Sequence, residues 1–343
     1  MRAARLHNYN EQLRIDEVDI PRPKGEEVTV RVGAAGVCHS DIHFMSGQWK
    51  DTLPVKLPLT VGHETAGYVE EVGESVRGLA KGDVVAVFGG WGCGVCQACK
   101  GGDEQLCISP NWPGLSQCDG GYAEYLHVPT YRFLVRANGM DPEYLAPLTD
   151  AGLTPYRAIK KVRHLLNPNS FTLVFGVGGL GSYAIQYLKL TSSTRVVSVV
   201  RSKDKARLAK DMGSDYVINS SEEDLLSSIR EITENQGIDV VLDIVSSRET
   251  LAAGISSLGK GGTVVLVGLM GDSFNLPVMS SVINEHHVLG SLWGNYNELS
   301  EVISLARARR LKTPISRFRL DEVGKALSSL EQGTIVGRAV LVP

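Results

Sequence analysis

The sequence predicts an α/β protein of two domains, a β-rich one and one built on a doubly wound parallel sheet. Three observations carry this. The first 147 or so residues are short β-type runs separated by turn glycines and prolines; from Phe171 a strand–helix rhythm sets in; and a glycine-rich turn joins the first strand of that rhythm to its helix. At 343 residues the chain is longer than the roughly 100–200 residues of one ordinary domain.

In the β-rich part, residues 28–32 (Val-Thr-Val-Arg-Val), 67–72 and 83–88 alternate or run in β-branched residues, as short antiparallel strands do. Residues 141 to about 165 then read as helical. The strands expected next are Phe171–Phe175, Arg195–Val200, 216–218, 239–245 and 263–268. Their continuous apolar character is that of a parallel sheet covered on both faces. Leu180, Ala184, Ile185 and Leu188 share one helical face, and residues 221–224 (Ser-Glu-Glu-Asp) read as a cap before Leu225. Near the end, Asp321 is expected to open a helix, and a closing strand at 339–342 could complete either domain. The domains are expected at 1–149, completed by 292–343, and at 150–291.

Composition excludes several functions. Lys+Arg 35 against Asp+Glu 38 leaves a net charge of −3, with no basic field for nucleic acid or an anionic membrane. The first twenty residues hold no apolar signal core, and the apolar stretch at 263–270 falls far short of the 18 or so residues of a membrane span. A cytoplasmic protein is expected, so its six cysteines should be thiols or metal ligands rather than disulfides.

Cys93, Cys96, Cys99 and Cys107 are spaced C-x2-C-x2-C-x7-C among Gly92, Gly94, Gly101 and Gly102. Two-residue gaps let thiolates curl round one ion, and four of them make a closed, structural Zn²⁺ shell. The alternatives are an iron–sulfur centre, whose common spacing differs, four buried thiols, or a nucleic-acid-binding zinc ribbon, which the balanced Lys100, Asp103 and Glu104 do not favour.

Gly176-x-Gly178-Gly179-Leu180-Gly181 directly follows the strand Phe171–Phe175. Gly176 allows the turn, Gly178 the approach of a pyrophosphate and Gly181 close strand–helix packing, while the helix N-terminus offers free N–H groups. A merely structural turn is the alternative. The second strand decides the ribose. It ends at Val200 with no carboxylate, followed by Arg201, Ser202 and Lys203, which suit a 2′-phosphate; NADP(H) is therefore favoured over NAD(H). Asp204 would argue for NAD(H) if the strand ran longer, and a solvated helix start is the plainer reading of Arg201 and Lys203.

Cys38-His-Ser-Asp-Ile-His43 and Gly62-His-Glu-Thr-Ala-Gly67 place a thiolate and an imidazole in loops beside strands, a pairing that suits Zn²⁺. With C-x-S-D-x-H, G-H-E, the cysteine quartet, the Gly-Gly-Tyr-Ala-Glu-Tyr segment at 120–125 and the glycine turn, the whole chain resembles the zinc-containing medium-chain alcohol dehydrogenases.

That resemblance implies a GroES-like catalytic domain and a Rossmann cofactor domain, one catalytic and one structural zinc per subunit, and a homotetramer or homodimer acting on a small-molecule alcohol or ketone. It implies Cys38 and His63 as catalytic zinc ligands. The third ligand, Cys in many members, falls at Asp150, a harder donor expected to leave the zinc more Lewis acidic; Glu64 is a rival ligand, and Asp150 as a cap on a helix starting at Ala151 is the alternative. Ser40 is expected to hydrogen-bond the alcohol, His43 to pass its proton to solvent, and Asp41 to orient a ligand such as His63. Trp49, Trp91 and Trp293 are candidate pocket walls, suited to a bulky or secondary alcohol, and each could instead be core. The apolar strand at 263–268 and the segment after it are the expected subunit contact. A polyol or sugar dehydrogenase, a zinc-free quinone reductase and a non-catalytic zinc- and nucleotide-binding protein are the competing functions.

Overall fold

A computed structural model describes residues 1–271, 273–308 and 310–343. The chain divides into two compact units, one of residues 1–153, 294–309 and 313–343, the other of 154–293 and 310–312. Asp150, the first residue of the second domain as the sequence divides it, thus lies in unit 1.

Unit 1 holds a three-stranded sheet and a larger one. The larger sheet runs in the order Ile315–Arg319, Arg338–Val342, Val28–Gly36, Glu64–Val72, Val84–Val87, Leu134–Arg136, with Tyr125–Val128 also paired to Val28–Gly36. Every pairing in it is antiparallel except that of Ile315–Arg319 with Arg338–Val342. The closing strand therefore belongs to unit 1, where Val340 pairs with Gly36. Val28–Gly36 is almost wholly buried, so its alternation is weaker than that of a one-faced strand. Gly67 is needed opposite it, because a Cβ there would lie 2.2 Å from the Arg31 carbonyl oxygen.

Unit 2 is a six-stranded, all-parallel sheet in the order Tyr216–Asn219, Arg195–Val200, Phe171–Phe175, Ile238–Asp243, Leu258–Leu266, His287–Gly290. This is the 3-2-1-4-5-6 order of a dinucleotide-binding sheet, with its switch point between Phe171–Phe175 and Ile238–Asp243. Leu173, Val197, Ile218, Val241 and Val264 form the core with helical residues such as Ile229 and Ile255.

Several expectations need correction. The stretch from 141 to 165 is helical in pieces and not one helix: Pro142–Leu145, the 3₁₀ turn Ala146–Thr149, Leu153–Val162 and the 3₁₀ turn Arg163–Leu165. Pro147 has no N–H to donate, and Asp150 leaves helical geometry at φ −136, ψ −63. The final helix, Val323–Glu331, is entered through a 3₁₀ turn that contains Asp321, whose carboxylate pairs with Arg319 instead of capping. The sixth strand, His287–Gly290, is an exposed four-residue edge with no apolar run to announce it. At 221–224 the cap itself is Asp224, which accepts from Ser227 N at 2.8 Å. No helix among the described residues is long and apolar enough to cross a membrane.

A Cβ on Gly181 would stand 1.9 Å from the Gly176 carbonyl oxygen, whereas one on Gly178 would meet nothing within 4 Å. Gly181→Ala is accordingly expected to destabilise by about 1–3 kcal/mol, the usual cost of overpacking, and Gly178→Ala by no more than about 0.5 kcal/mol. Thermal unfolding of the two variants side by side checks the difference.

Candidate active site

Sheet register assembles the first two donors. Gly36, the last residue of its strand, pairs with Glu64, the first of the next, so Cys38 leaves the sheet beside the point where His63 enters it. Cys38 is also the N-cap of the helix His39–Met45, and its N–H donates to Asp41 Oδ2 at 2.9 Å in a capping box. Asp150 joins from the broken helix: its Oδ2 lies 3.8 Å from Cys38 Sγ and 3.4 Å from His63 Nε2. Leu153–Val162 starts too late for Asp150 to cap it. The donor atoms of Cys38, His63, Glu64 and Asp150 all lie within 4.8 Å of one another.

One sulfur, one imidazole nitrogen and carboxylate oxygen, mostly buried, fit a zinc ion. Asp41 Oδ1 accepts from His63 Nδ1 at 3.0 Å, which fixes the tautomer and leaves Nε2 toward the other donors. Burial disfavours charge on His63, but the Asp41 carboxylate, together with hydrogen bonds to Asp150, Asp41 and Cys38, holds its pKa well above that of a free imidazole. Surroundings that favour a proton there favour a cation.

Glu64 is fully buried, and burial pushes its carboxyl up to about 7 despite Arg338. Both its oxygens take Arg338 Nη2, at 2.5 and 2.6 Å. Gly36 makes the seat, since a Cβ there would stand 1.9 Å from Glu64 Oε2. The sequence reading missed Arg338, although a cation heading the apolar strand Arg-Ala-Val-Leu-Val was a visible signal. It also gave no role to Tyr122, fully buried beside Asp41.

Ser40 and His43 lie on the same short helix as Asp41, three residues apart and half-buried. Trp49 packs on His43, ring centroids 5.6 Å apart. Trp91 does not join them: it is buried and stacked on Phe133 at 5.8 Å, which makes it core. Trp293 belongs to unit 2, buried with φ +46.

The quartet is equally compact. Cys96 Sγ stands 3.4 Å from Cys99 Sγ and 3.9 Å from Cys107 Sγ, and Cys93 Sγ 4.0 Å from Cys99 Sγ. Backbone N–H groups of Cys99 and Ile108 hold the Cys96 thiol down to about 6, as a metal thiolate needs, while burial pushes Cys99 up to about 12. Gly92 makes room, for a Cβ would lie 2.5 Å from Cys99 Sγ. Cys118 stands outside both clusters, its thiol pushed by burial up to about 12.

In unit 2, Gly176 turns the chain at φ +86 and Gly178 caps the helix Gly179–Thr191, whose first turn contains Leu180 and Gly181, at the switch point of the sheet. The strand Arg195–Val200 ends where the sequence ends it. Ser202 caps the next helix by accepting from Lys205 N at 3.4 Å, Lys203 leans toward Glu222 at 3.6 Å, and the exposed Arg201 guanidinium has no ion-pair partner among the described residues.

Fold and donors define a class: an oxidoreductase combining a metal with a dinucleotide. A family described as alcohol dehydrogenase GroES-like domain matches residues 24–138, and one described as zinc-binding dehydrogenase matches 179–308. Over the full length of both chains, the protein is 41% identical to an NAD-dependent alcohol dehydrogenase of Saccharolobus solfataricus. It is 35% identical to a D-arabinose 1-dehydrogenase (NADP(+)) of the same organism, over 100% of this chain and 97% of that one. The crystal structure of the alcohol dehydrogenase from Aeropyrum pernix matches with a TM-score of 0.95 at 39% identity, covering both chains completely. The chain belongs to the zinc-containing medium-chain alcohol dehydrogenase family, with its GroES-like and Rossmann folds.

Arg338→Met keeps the volume and leaves the Glu64 carboxyl buried without its cation. Breaking such a pair is expected to cost about 3–5 kcal/mol, read as an earlier urea midpoint; a loss below about 0.5 kcal/mol would mean that the pair contributes nothing to the fold.

Proposed function

We propose that Cys38, His63 and Asp150 hold a catalytic zinc, that the cysteine quartet holds a structural one, and that the protein interconverts secondary or bulky alcohols and their ketones or aldehydes with NADP(H) in preference to NAD(H). The observation that carries the reading is the donor set: sulfur, imidazole and carboxylate converging in a buried cage. Zinc supplies Lewis acidity toward a carbinol oxygen, and the nicotinamide the hydride exchange. Glu64, taken on both oxygens by Arg338, is a reserve carboxylate rather than the third ligand.

The chain's own residues orient and move the proton. Asp41 locks the His63 ring. Ser40 accepts the proton of the substrate hydroxyl as it gives up its own toward His43, one turn on along the same helix face, which passes a proton to solvent. Trp49, against His43, walls the substrate side. Gly178, where a Cβ would meet nothing, leaves room for the pyrophosphate above the N–H groups of Gly179, Leu180 and Gly181. Arg201, with Ser202 and Lys203, receives the 2′-phosphate.

The subunits assemble as a homotetramer or homodimer in the cytoplasm. Leu258–Leu266 is interior to its sheet, so the contact falls on the segment after it, where Val278, Met279, Val282 and Ile283 are exposed beside the edge strand His287–Gly290.

Two measurements test this reading. Native protein should carry two zinc ions per chain by elemental analysis, and Asp150→Asn should lose one of them with nearly all activity on a secondary alcohol; full zinc content and unchanged turnover in the variant would remove Asp150 from the site. The kcat/KM for NADP⁺ should exceed that for NAD⁺ on one secondary alcohol, by on the order of tenfold or more for a bidentate phosphate contact, and Arg201→Ala should erase the preference. A preference of the native protein for NAD⁺ would overturn it.

A further inference from the structure

The family motif Gly-Gly-Tyr at 120–122 has been given no task, yet it ends in one of the largest fully buried side chains of the protein. The Tyr122 hydroxyl lies 2.6 Å from Asp41 Oδ2 and 3.3 Å from the Gly36 carbonyl oxygen. A phenol has one proton, and the shorter contact to the anion takes it. Asp41, itself completely buried, then receives three directed donors: the Cys38 N–H and the Tyr122 O–H at Oδ2, and His63 Nδ1–H at Oδ1.

Space has been cleared for this ring at the cost of side chains elsewhere. Gly62, of the Gly-His-Glu motif, sits at φ +101, and a Cβ on it would lie 2.3 Å from Tyr122 Cδ1. Gly120 presses on the same point, its Cβ position 2.2 Å from the Gly62 carbonyl oxygen. The residue preceding the ligand His63 is thus glycine because the tyrosine occupies its side-chain space. The two motifs, some sixty residues apart, are one packed assembly. A tyrosine kept only for bulk would not need its hydroxyl on the carboxylate that orients a ligand.

We propose that Tyr122 is a positioning residue for the catalytic metal: its hydroxyl clamps one oxygen of Asp41 so that the other stays in line with His63 Nδ1, holding the His63 ring toward the ion. This rests on the reading that Cys38, His63 and Asp150 bind zinc. The effect is on ligand orientation. Without the hydroxyl, Asp41 keeps only the Cys38 N–H on Oδ2 and can rock about that single contact. Removing an outer partner of a metal-bound histidine typically weakens metal binding about 10–100-fold; a residue one bond further out belongs at the low end.

The test is zinc release from the holoenzyme to a chromogenic chelator, followed in native protein, Tyr122→Phe, Asp41→Asn and the double variant. The release phase missing from Asp150→Asn is assigned to this site. Tyr122→Phe keeps the ring and its packing, so its unfolding midpoint should stay close to that of the native protein while this phase quickens about tenfold. The quartet's phase should not change. In the Asp41→Asn background the same substitution should change the rate less than twofold, because the hydroxyl acts through that carboxylate. Cobalt(II) put in place of zinc should show a shifted d–d absorption in Tyr122→Phe. Unchanged or slower release from Tyr122→Phe, or an equal effect with and without Asp41, would overturn the proposal. Should Tyr122→Phe fold poorly, the cycle is run with Tyr122→Met, which removes the hydroxyl without adding volume to the site, and the same outcomes apply. Native protein lacking the second release phase altogether would instead defeat the zinc reading beneath it.

Discussion

The pairing of Gly36 with Glu64 is the constraint on which the site depends. Side chains in a strand alternate faces, so a slip of one residue would turn Glu64 to the other face of the sheet and carry His63, which precedes it, out of line with Cys38. The register is held where side chains are missing. Gly36 admits Glu64, Gly67 admits the Arg31 carbonyl, and Gly62 admits Tyr122; a Cβ at any of them would meet an atom within 2.3 Å. Two of the donors are therefore fixed by a sheet. Only Asp150 comes from irregular chain, where the helix breaks after Pro147.

Charge completes what register begins. As thiolate and carboxylate, the Cys38 and Asp150 side chains would offer two negative charges, which the proposed divalent cation would neutralise. A third carboxylate at Glu64 would add buried charge; burial holds its carboxyl up at about 7, and Arg338 meets both its oxygens. On the proposed reading, Asp150 would offer the metal a hard oxygen where a thiolate would offer a polarisable sulfur of the same charge. Glu64 and Asp150 lie in the same donor cluster as Cys38 and His63, which is thus drawn from three separate stretches of chain.

How much of this the sequence disclosed follows from what leaves a local mark. Phe171–Phe175 and Arg195–Val200 were legible to the residue because strands buried on both faces are unbroken apolar runs, while His287–Gly290, a short exposed edge, leaves no such pattern. Cys38 and His63 were legible as motifs, and Asp41 as the partner of His63 through its place three residues after Cys38. Arg338 and Tyr122 were not, because their meaning lies in what they touch across 274 and 81 positions of chain. The three tryptophans show the same limit: aromatic character alone did not separate Trp49, on His43, from Trp91, stacked into the core.

The glycine turn makes that distinction sharper. The structure gives two of the roles expected from the sequence a physical cause: Gly176 is required by a left-handed backbone and Gly181 by a carbonyl 1.9 Å from where a Cβ would stand. Both are demands of the fold and would hold if nothing ever bound. Gly178, at φ −114 and ψ −144, has open space before it, so packing does not call for glycine there. A residue whose side chain the fold could accommodate, but which has none, is explained by what must approach it. Of the whole motif, Gly178 is the position that speaks for a pyrophosphate.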